Sequence, residues 1–386
     1  MATASTVKKK KTAVKRKPIR VSYDYMVLFV VVLLVLFGVV MIFSSSYYTA
    51  MRETKFNNDM LYFVKKQFRN GVIGFAGMIF MSNFNYRNLR KFTFPAYVVG
   101  CILLLLLIPF GTVANGQKRW LWGFQPSEIV KITTTLFLAH FICLHKDYLK
   151  DFTGFIKCLA VVAIPCAMIA ITNFSSALLL ALIGGAILFA AGFDMKYFAY
   201  ISGPVVGAGI VGILLPGLLS SSGGSGYRLG RIKIWLDPFS DPKDKGYQII
   251  QGLYAVASGG LFGLGLGQSR QKTFLPEAYN DIIFAIIAEE LGMLGATLII
   301  LLFAILVWRG IKIAMNSQDQ FGSLVATGIT AQVAFQSIIN IAVTTNTIPN
   351  TGQPLPFVSY GGTSLIIAMS MMGILLNISR YQKGLE

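Results

Sequence analysis

The chain alternates long apolar runs with polar connections. A helix needs ~20 mostly apolar residues to cross the hydrocarbon core of a bilayer, and ten runs approach that length. Their approximate limits are 25 to 43, 67 to 83, 94 to 110, 127 to 144, 156 to 173, 175 to 192, 197 to 218, 280 to 308, 321 to 345 and 356 to 378. The pattern predicts an all-α polytopic membrane protein of about ten transmembrane helices. One connection is long, residues 219 to 279 between the seventh and eighth spans, while every other is short. A single membrane domain over 21–386 is expected, preceded by a disordered basic tail over 1–20.

Composition agrees. Of 386 residues, 55% are hydrophobic and only 13% charged, with a mean hydropathy of +0.64. A water-facing surface of this size needs more ionisable groups, so a soluble enzyme built on a single core is excluded. Lys and Arg number 34 against 16 Asp and Glu, a net charge of +18. A nucleic-acid partner would need a basic face on a soluble fold, whereas these bases fall between apolar runs. The positive-inside rule and anionic lipid explain them better. Eight bases precede residue 21, and the run from Tyr25 to Phe43 is too long for a signal-peptide core, so an uncleaved first helix is expected.

Ten spans put both termini on one side. Arg87, Arg90 and Lys91, then Lys146, Lys150 and Lys157, then Arg380 and Lys383 make that side cytoplasmic. The 219–279 loop is then extracytoplasmic, yet it carries Arg228, Arg231, Lys233, Lys243, Lys245, Arg270 and Lys272. Long loops partly escape the rule; alternatively these bases bind an anion outside, joined by Lys118 and Arg119 before the fourth span. The four cysteines show no CxxC spacing, and His140 and His145 stand five apart, so neither a disulfide framework nor a metal site is indicated. No internal repeat supports an inverted-repeat transporter.

Acids near spans carry the most information, because each costs a few kcal/mol, roughly, at the bilayer centre unless paired or wet. At the start of the eighth span Pro276 can serve as a first helical residue, which would set Glu277 and Asp281 one turn apart on one face. Both acids could simply complement a helix N-terminus, worth ~0.3 to 1 kcal/mol each. Asp281, between the basic loop and an unbroken apolar run, also has the makings of a general base. Glu289 and Glu290 lie about 12 Å deeper. Lys131 is the basic residue best placed to meet them, with Glu128 competing for it, and a structural ion pair among these four is the favoured reading over proton transfer. The glycines of 259–267 lack the preceding strand of a phosphate-binding loop and suggest a short re-entrant or interfacial helix. Gly71, Gly74 and Gly77 suggest close helix packing. The segment 345 to 363, with three prolines and three glycines, is expected to wall a cleft, since irregular backbone at membrane depth must be buried or line a wet cavity.

Several blocks in order resemble one known family. Arg119-Trp with Gln125-Pro-Ser-Glu128 and Lys131, Asp237-Pro-Phe-Ser-Asp-Pro242, Gly246-Tyr-Gln-Ile-Ile-Gln251, Leu275-Pro-Glu with Asp281, Glu289-Glu-Leu-Gly292 and Pro354-Leu-Pro-Phe-Val-Ser-Tyr-Gly-Gly362 look like signatures of the SEDS proteins (shape, elongation, division and sporulation). The run Gly263-Leu-Gly-Leu-Gly-Gln-Ser-Arg-Gln-Lys272 is more similar to the division branch than to the elongation branch. The resemblance implies a ten-helix peptidoglycan glycosyltransferase of the bacterial inner membrane. It would polymerise lipid II at the septum beside a class B penicillin-binding protein and other divisome membrane proteins.

Carried over by position, Asp281 is the catalytic carboxylate and general base. Lys118, Arg119, Arg228, Arg231, Arg270 and Lys272 are candidate pyrophosphate clamps, and Gln248, Gln251, Glu277 and Ser359 complete the expected substrate-binding set. A divalent cation, Mg or Mn, could share the load on the leaving group, although no cage of oxygen ligands is legible. The chain departs from the family in having Tyr279-Asn280 and Ile282 around Asp281 where His-Thr and Phe are usual. Between the fifth and sixth spans it also has Thr172-Asn173-Phe174-Ser175-Ser176 where a Pro-Asp pair is common, which leaves Asp281 without an evident rival. A lipid II flippase would instead need a polar path across the membrane, and a non-catalytic divisome scaffold would use Trp235 and the basic loop as an interface.

Overall fold

The computed structural model describes residues 23–56, 58–114, 117–200, 230, 233–244 and 246–382. The basic tail, Arg228, Arg231, Lys245, Lys383 and the seventh expected span from residue 201 onward lie outside them. Among the described residues the helices are α1 (Tyr25–Arg52), α2 (Tyr62–Asn83), α3 (Thr93–Phe110), α4 (Pro126–Leu144), α5 (Phe152–Thr172), α6 (Phe174–Ala191), α7 (Tyr247–Ser258), α8 (Ile283–Asn316), α9 (Gln320–Thr344) and α10 (Gly362–Ser379). A two-stranded hairpin, β1 (Thr112–Ala114) and β2 (Gln117–Trp120), joins α3 to α4. Each of the other nine expected spans falls on one of these helices. Among the described residues eight helical segments are long and apolar enough to cross a membrane, and the protein is an all-α polytopic membrane protein.

The helices are pinned to one another by the few polar residues they contain. Asp24 caps α1 by accepting from the Val27 amide at 3.3 Å and pairs with Arg309 of α8 at 2.6 Å. Such a buried pair holds the two chain segments in register because separating them would strand a charge. Helix α2 falls short of the hydropathy of a membrane span because Lys65, Lys66, Gln67, Arg69 and Asn70 fill its first turns. It is nonetheless the closest neighbour of α10. Side-chain carbon on Gly74 would meet Met369 Sδ at 2.7 Å, and on Gly77 would meet Ser370 Oγ at 2.7 Å, so these glycines let two backbones approach.

Helix α8 is interrupted. Gly292 has φ 66° and ψ −167°, which only glycine adopts without strain, and it splits the helix into a short N-terminal and a long C-terminal part. A break at membrane depth leaves amides and carbonyls unpaired. The glycine-rich loop after α7 supplies their partners. Leu264 and Gly265 donate to the carbonyls of Glu289 and Glu290, both at 2.9 Å, and Met293 and Leu294 donate to Gly260 and Leu261 at 2.9 and 3.2 Å. Gly259, Gly263 and Gly292 sit so close to the opposing backbone that a Cβ on any of them would collide with it.

Two expectations are corrected here. Residues 259–267 form irregular backbone docked into a helix break, not a short helix, because the break needs free amides and carbonyls that a helix would consume. Helix α8 begins at Ile283, not at Pro276. Residues 276–282 form successive turns with Glu277 in the left-handed region at φ 50°. Glu277 and Asp281 therefore do not share a helix face.

Candidate active site

Asp281 stands on the last turn before α8, held by its own main chain. Asn340 of α9, fully buried, donates through Nδ2 to the Asp281 carbonyl at 2.7 Å and to the Gln353 carbonyl at 2.8 Å. One amide thus ties the Asp281 turn to the proline- and glycine-rich segment after α9. The Tyr360 amide donates to the Tyr279 carbonyl at 2.9 Å, and the Tyr279 ring packs against Phe63 and Tyr360, with centroids 4.3 and 5.6 Å away. Burial pushes the Tyr279 hydroxyl well above its ordinary pKa, with the charge of Glu277 acting in the same direction. Tyr279 is therefore a neutral packing residue. Asn280 does not cap α8. Its amide donates to Glu277 at 2.7 Å.

The Asp281 carboxylate is half-buried and lines a cavity of about 500 Å³ that opens at the surface. Arg119, Glu128, Gln248, Glu277, Asn350 and Gln353 also contribute to its wall, so it brings together the hairpin, α4, α7, the turn before α8 and the 345–363 segment. That segment walls the cleft as expected. Gly352 is the point of closest approach. With φ 66°, its missing side chain would stand 3.6 Å from Arg119 Nη1 and 3.7 Å from Asp281 Oδ2, so the cation and the carboxylate face the same small volume. Asn173, where the family favours an acid, also lines the cavity and is spent on capping α6 through the Ser176 amide at 3.2 Å.

The expected cations separate. Successive strand residues point to opposite faces, and on β2 this divides Lys118 from Arg119: Arg119 enters the cavity wall, while Lys118 Nζ turns back to the Ile108 carbonyl at 3.0 Å. Arg270 is exposed away from the cavity lining. Lys272 is corrected outright as a surface clamp. It is 3% exposed, with Nζ 2.6 Å from the Gly267 carbonyl, 3.4 Å from Glu290 and over the Tyr47 ring.

That placement also corrects the expected pairing of Glu289 and Glu290 with Lys131. Lys131 is fully buried and pairs with Glu128 at 2.8 Å one helical turn away. Glu289 instead gathers the returning loop, accepting from the Ser269 hydroxyl and from the Arg270 and Gln271 amides at 3.0 and 3.3 Å. Glu290 accepts from Ser44 at 2.5 Å and from the Ser269 amide at 3.3 Å, beside Lys272.

Of the remaining expected residues, Gln248 accepts from Asn350 at 3.3 Å within the wall. Gln251, one turn on, is half-buried and outside the lining. Ser359 is buried beneath the cavity, accepting from the Leu355 amide at 2.8 Å. No group of three or more His, Cys, Asp or Glu side chains converges as a metal site among the described residues. The carboxylates of Glu128, Glu277 and Asp281 share the cavity without clustering. Sequence reasoning missed Asn340 and Gln353, whose bonds join segments distant along the chain. The only signal for Asn340 was polarity near the C-terminal end of apolar α9.

Known proteins resemble this chain along nearly its whole length. It is 40% identical over 374 residues to stage V sporulation protein E of Bacillus subtilis, covering 94% of this chain and 99% of that one. It is 38% identical to the probable peptidoglycan glycosyltransferase FtsW of Geobacter sp. strain M18, covering 94% and 98%. Among solved structures, a chain from a study of polymerisation and crosslinking by a peptidoglycan synthase complex superposes with a TM-score of 0.74 at 22% identity, covering 94% of this chain and all of that one. The crystal structure of rod shape determining protein RodA from Thermus thermophilus superposes at 0.64 with 21% identity, covering 94% and 99%. A family model described as "Cell cycle protein", for FtsW, RodA and SpoVE, matches residues 24–384, and the chain belongs to that family.

Proposed function

We propose that this protein is a peptidoglycan glycosyltransferase that polymerises lipid II, with Asp281 as its general base. The observation that carries the reading is the placement of Asp281, half-buried in the wall of an open cavity of about 500 Å³ with Arg119 beside it. The names of the FtsW relatives support the same activity.

Glycan growth joins the 4-hydroxyl of one saccharide to the anomeric carbon of another. A C–O bond forms as the bond to the lipid diphosphate breaks. Asp281 takes the hydroxyl proton as the nucleophile attacks, and Arg119 stabilises charge gathering on the leaving diphosphate, where a preorganised guanidinium costs no reorganisation. Gln248, Glu277 and Gln353 offer polar contacts for sugar hydroxyls along the wall. Arg228 and Arg231, expected as further diphosphate clamps, lie outside the described residues. Asn340 fixes the Asp281 backbone, which keeps base and cation in register.

In this reading both termini are cytoplasmic and the cavity opens outward, where lipid-linked sugars are consumed during septal synthesis. A class B penicillin-binding protein receives the strand, and the synthase complex among the structural neighbours supports such pairing. A flippase is less well supported, because Glu289 and Glu290 close a loop onto a helix instead of lining a path. The test is polymerisation of labelled lipid II by purified protein with its transpeptidase. Asp281→Ala should abolish polymer. Polymer formed as by the wild type would remove Asp281 from the mechanism, and lipid scrambling lost in Glu289→Gln but kept in Asp281→Ala would favour the flippase.

A further inference from the structure

The structure leaves the cavity short of cations for the chemistry proposed. Two lipid-linked saccharides meet in each addition, and each brings a diphosphate. A cavity of about 500 Å³ is the size that takes one small organic ligand, so it does not enclose two lipid-linked saccharides. Among the described residues Arg119 is the one base in the lining, with Lys118, Arg270 and Lys272 placed elsewhere.

Other bases lie behind the adjoining wall. Tyr360, in the cavity lining, packs edge-on against Phe63 of α2 at 5.2 Å. Gln67 of α2 donates to the Ser359 carbonyl and accepts from the Gly361 amide, both at 3.3 Å. Arg69 follows Gln67 by two residues on the same helix and is exposed. Lys66 Nζ lies 2.5 Å from the Tyr62 hydroxyl and over that ring. Among the described residues neither Lys66 nor Arg69 has a carboxylate partner, whereas Lys65 is paired with Asp59 at 2.7 Å.

Residues 62, 66, 69, 73, 76 and 80 follow one another at steps of four and three and so form one helix face. It has two cations at its outer end and then Ile73, Ala76 and Phe80, with Ile73 48% and Phe80 65% exposed. A cationic head above an exposed apolar stripe complements a dianionic diphosphate on an isoprenoid tail. Bases at the outer start of a span also run against the positive-inside rule, so orientation does not account for them.

We propose that Lys66 and Arg69 hold the diphosphate of a second lipid-linked saccharide on the α2 side of the cavity, with its isoprenoid chain along Ile73, Ala76 and Phe80. This rests on the outward orientation and glycosyl transfer set out above. The test uses the full-length protein in phosphatidylcholine nanodiscs with farnesyl diphosphate as probe. Wild type should take up two equivalents and K66Q/R69Q one, and K66R/R69K should restore the second. In polymerisation, K66Q/R69Q should raise KM for lipid II about tenfold or more while kcat stays within a few-fold. Unchanged stoichiometry in K66Q/R69Q would overturn the site. So would displacement of the probe from it by an equal concentration of phosphatidylglycerol, which would make it an ordinary phospholipid anchor. Asp281→Asn separates the two readings, since it should keep both equivalents while losing turnover. Normal turnover by that variant would sink the catalytic assignment and leave the diphosphate site standing.

Discussion

Asp281 and the Glu289–Glu290 pair stand two helical turns apart on one segment, yet their surroundings differ completely. Both glutamates are fully buried, and Glu289 is spent on the amides and hydroxyl of a loop folded back from α7. Asp281 is half-buried, its backbone carbonyl accepts from Asn340, and the residue lines the cavity. A fully buried acid gathered into a loop builds structure, whereas a half-buried acid in a cavity wall can meet a substrate.

The contrast is tested most severely by exchanging the expected phenotypes. Asp281→Asn keeps shape and removes the base. It should cut lipid II polymerisation ~10²- to 10⁴-fold, with the unfolding temperature in detergent unchanged. Lys272→Met should do the opposite, destabilising the protein by ~3–5 kcal/mol because Glu290 is left buried without its cation, read as a lowered unfolding temperature. A stable, active Lys272→Met protein would mean that the latch is dispensable. Gly352→Val probes the space that Arg119 and Asp281 share. The left-handed backbone and the filled gap together should lower turnover ~10- to 10²-fold, measured as kcat at saturating lipid II. The smallest contrast is within β2. Arg119→Ala should weaken turnover by ~10-fold or more, whereas Lys118→Ala should stay within ~0.5 kcal/mol of wild type in stability and about twofold in rate. Equal losses would mean that strand alternation does not sort these two cations.

The spans were legible because lipid demands long apolar runs, and α2 was recognisable despite the bases in its first turns. Its onset at Tyr62 was not, since Lys65, Lys66 and Arg69 break the apolar run where the helix has already begun. Asp281 was legible as an acid at a span boundary, and the family resemblance singled it out. The partner of Glu290 was not. Lys272 reaches it only because residues 259–273 fold back along α8, a path dictated by backbone contacts among glycines that carry no side-chain pattern. Asn340 escaped notice for a related reason. A lone amide on an apolar helix looks like an isolated polar position until the two carbonyls it serves are brought to it.

The interruption at Gly292 has a consequence for assembly. A lipid-facing α-helix ordinarily carries its complete ladder of bonds as it leaves the translocation machinery, but here four rungs are lent by residues 260–265. The lender precedes the borrower in synthesis. The glycine loop is thus made before the residues it pairs with, and these four bonds form only after 289–294 have been synthesised.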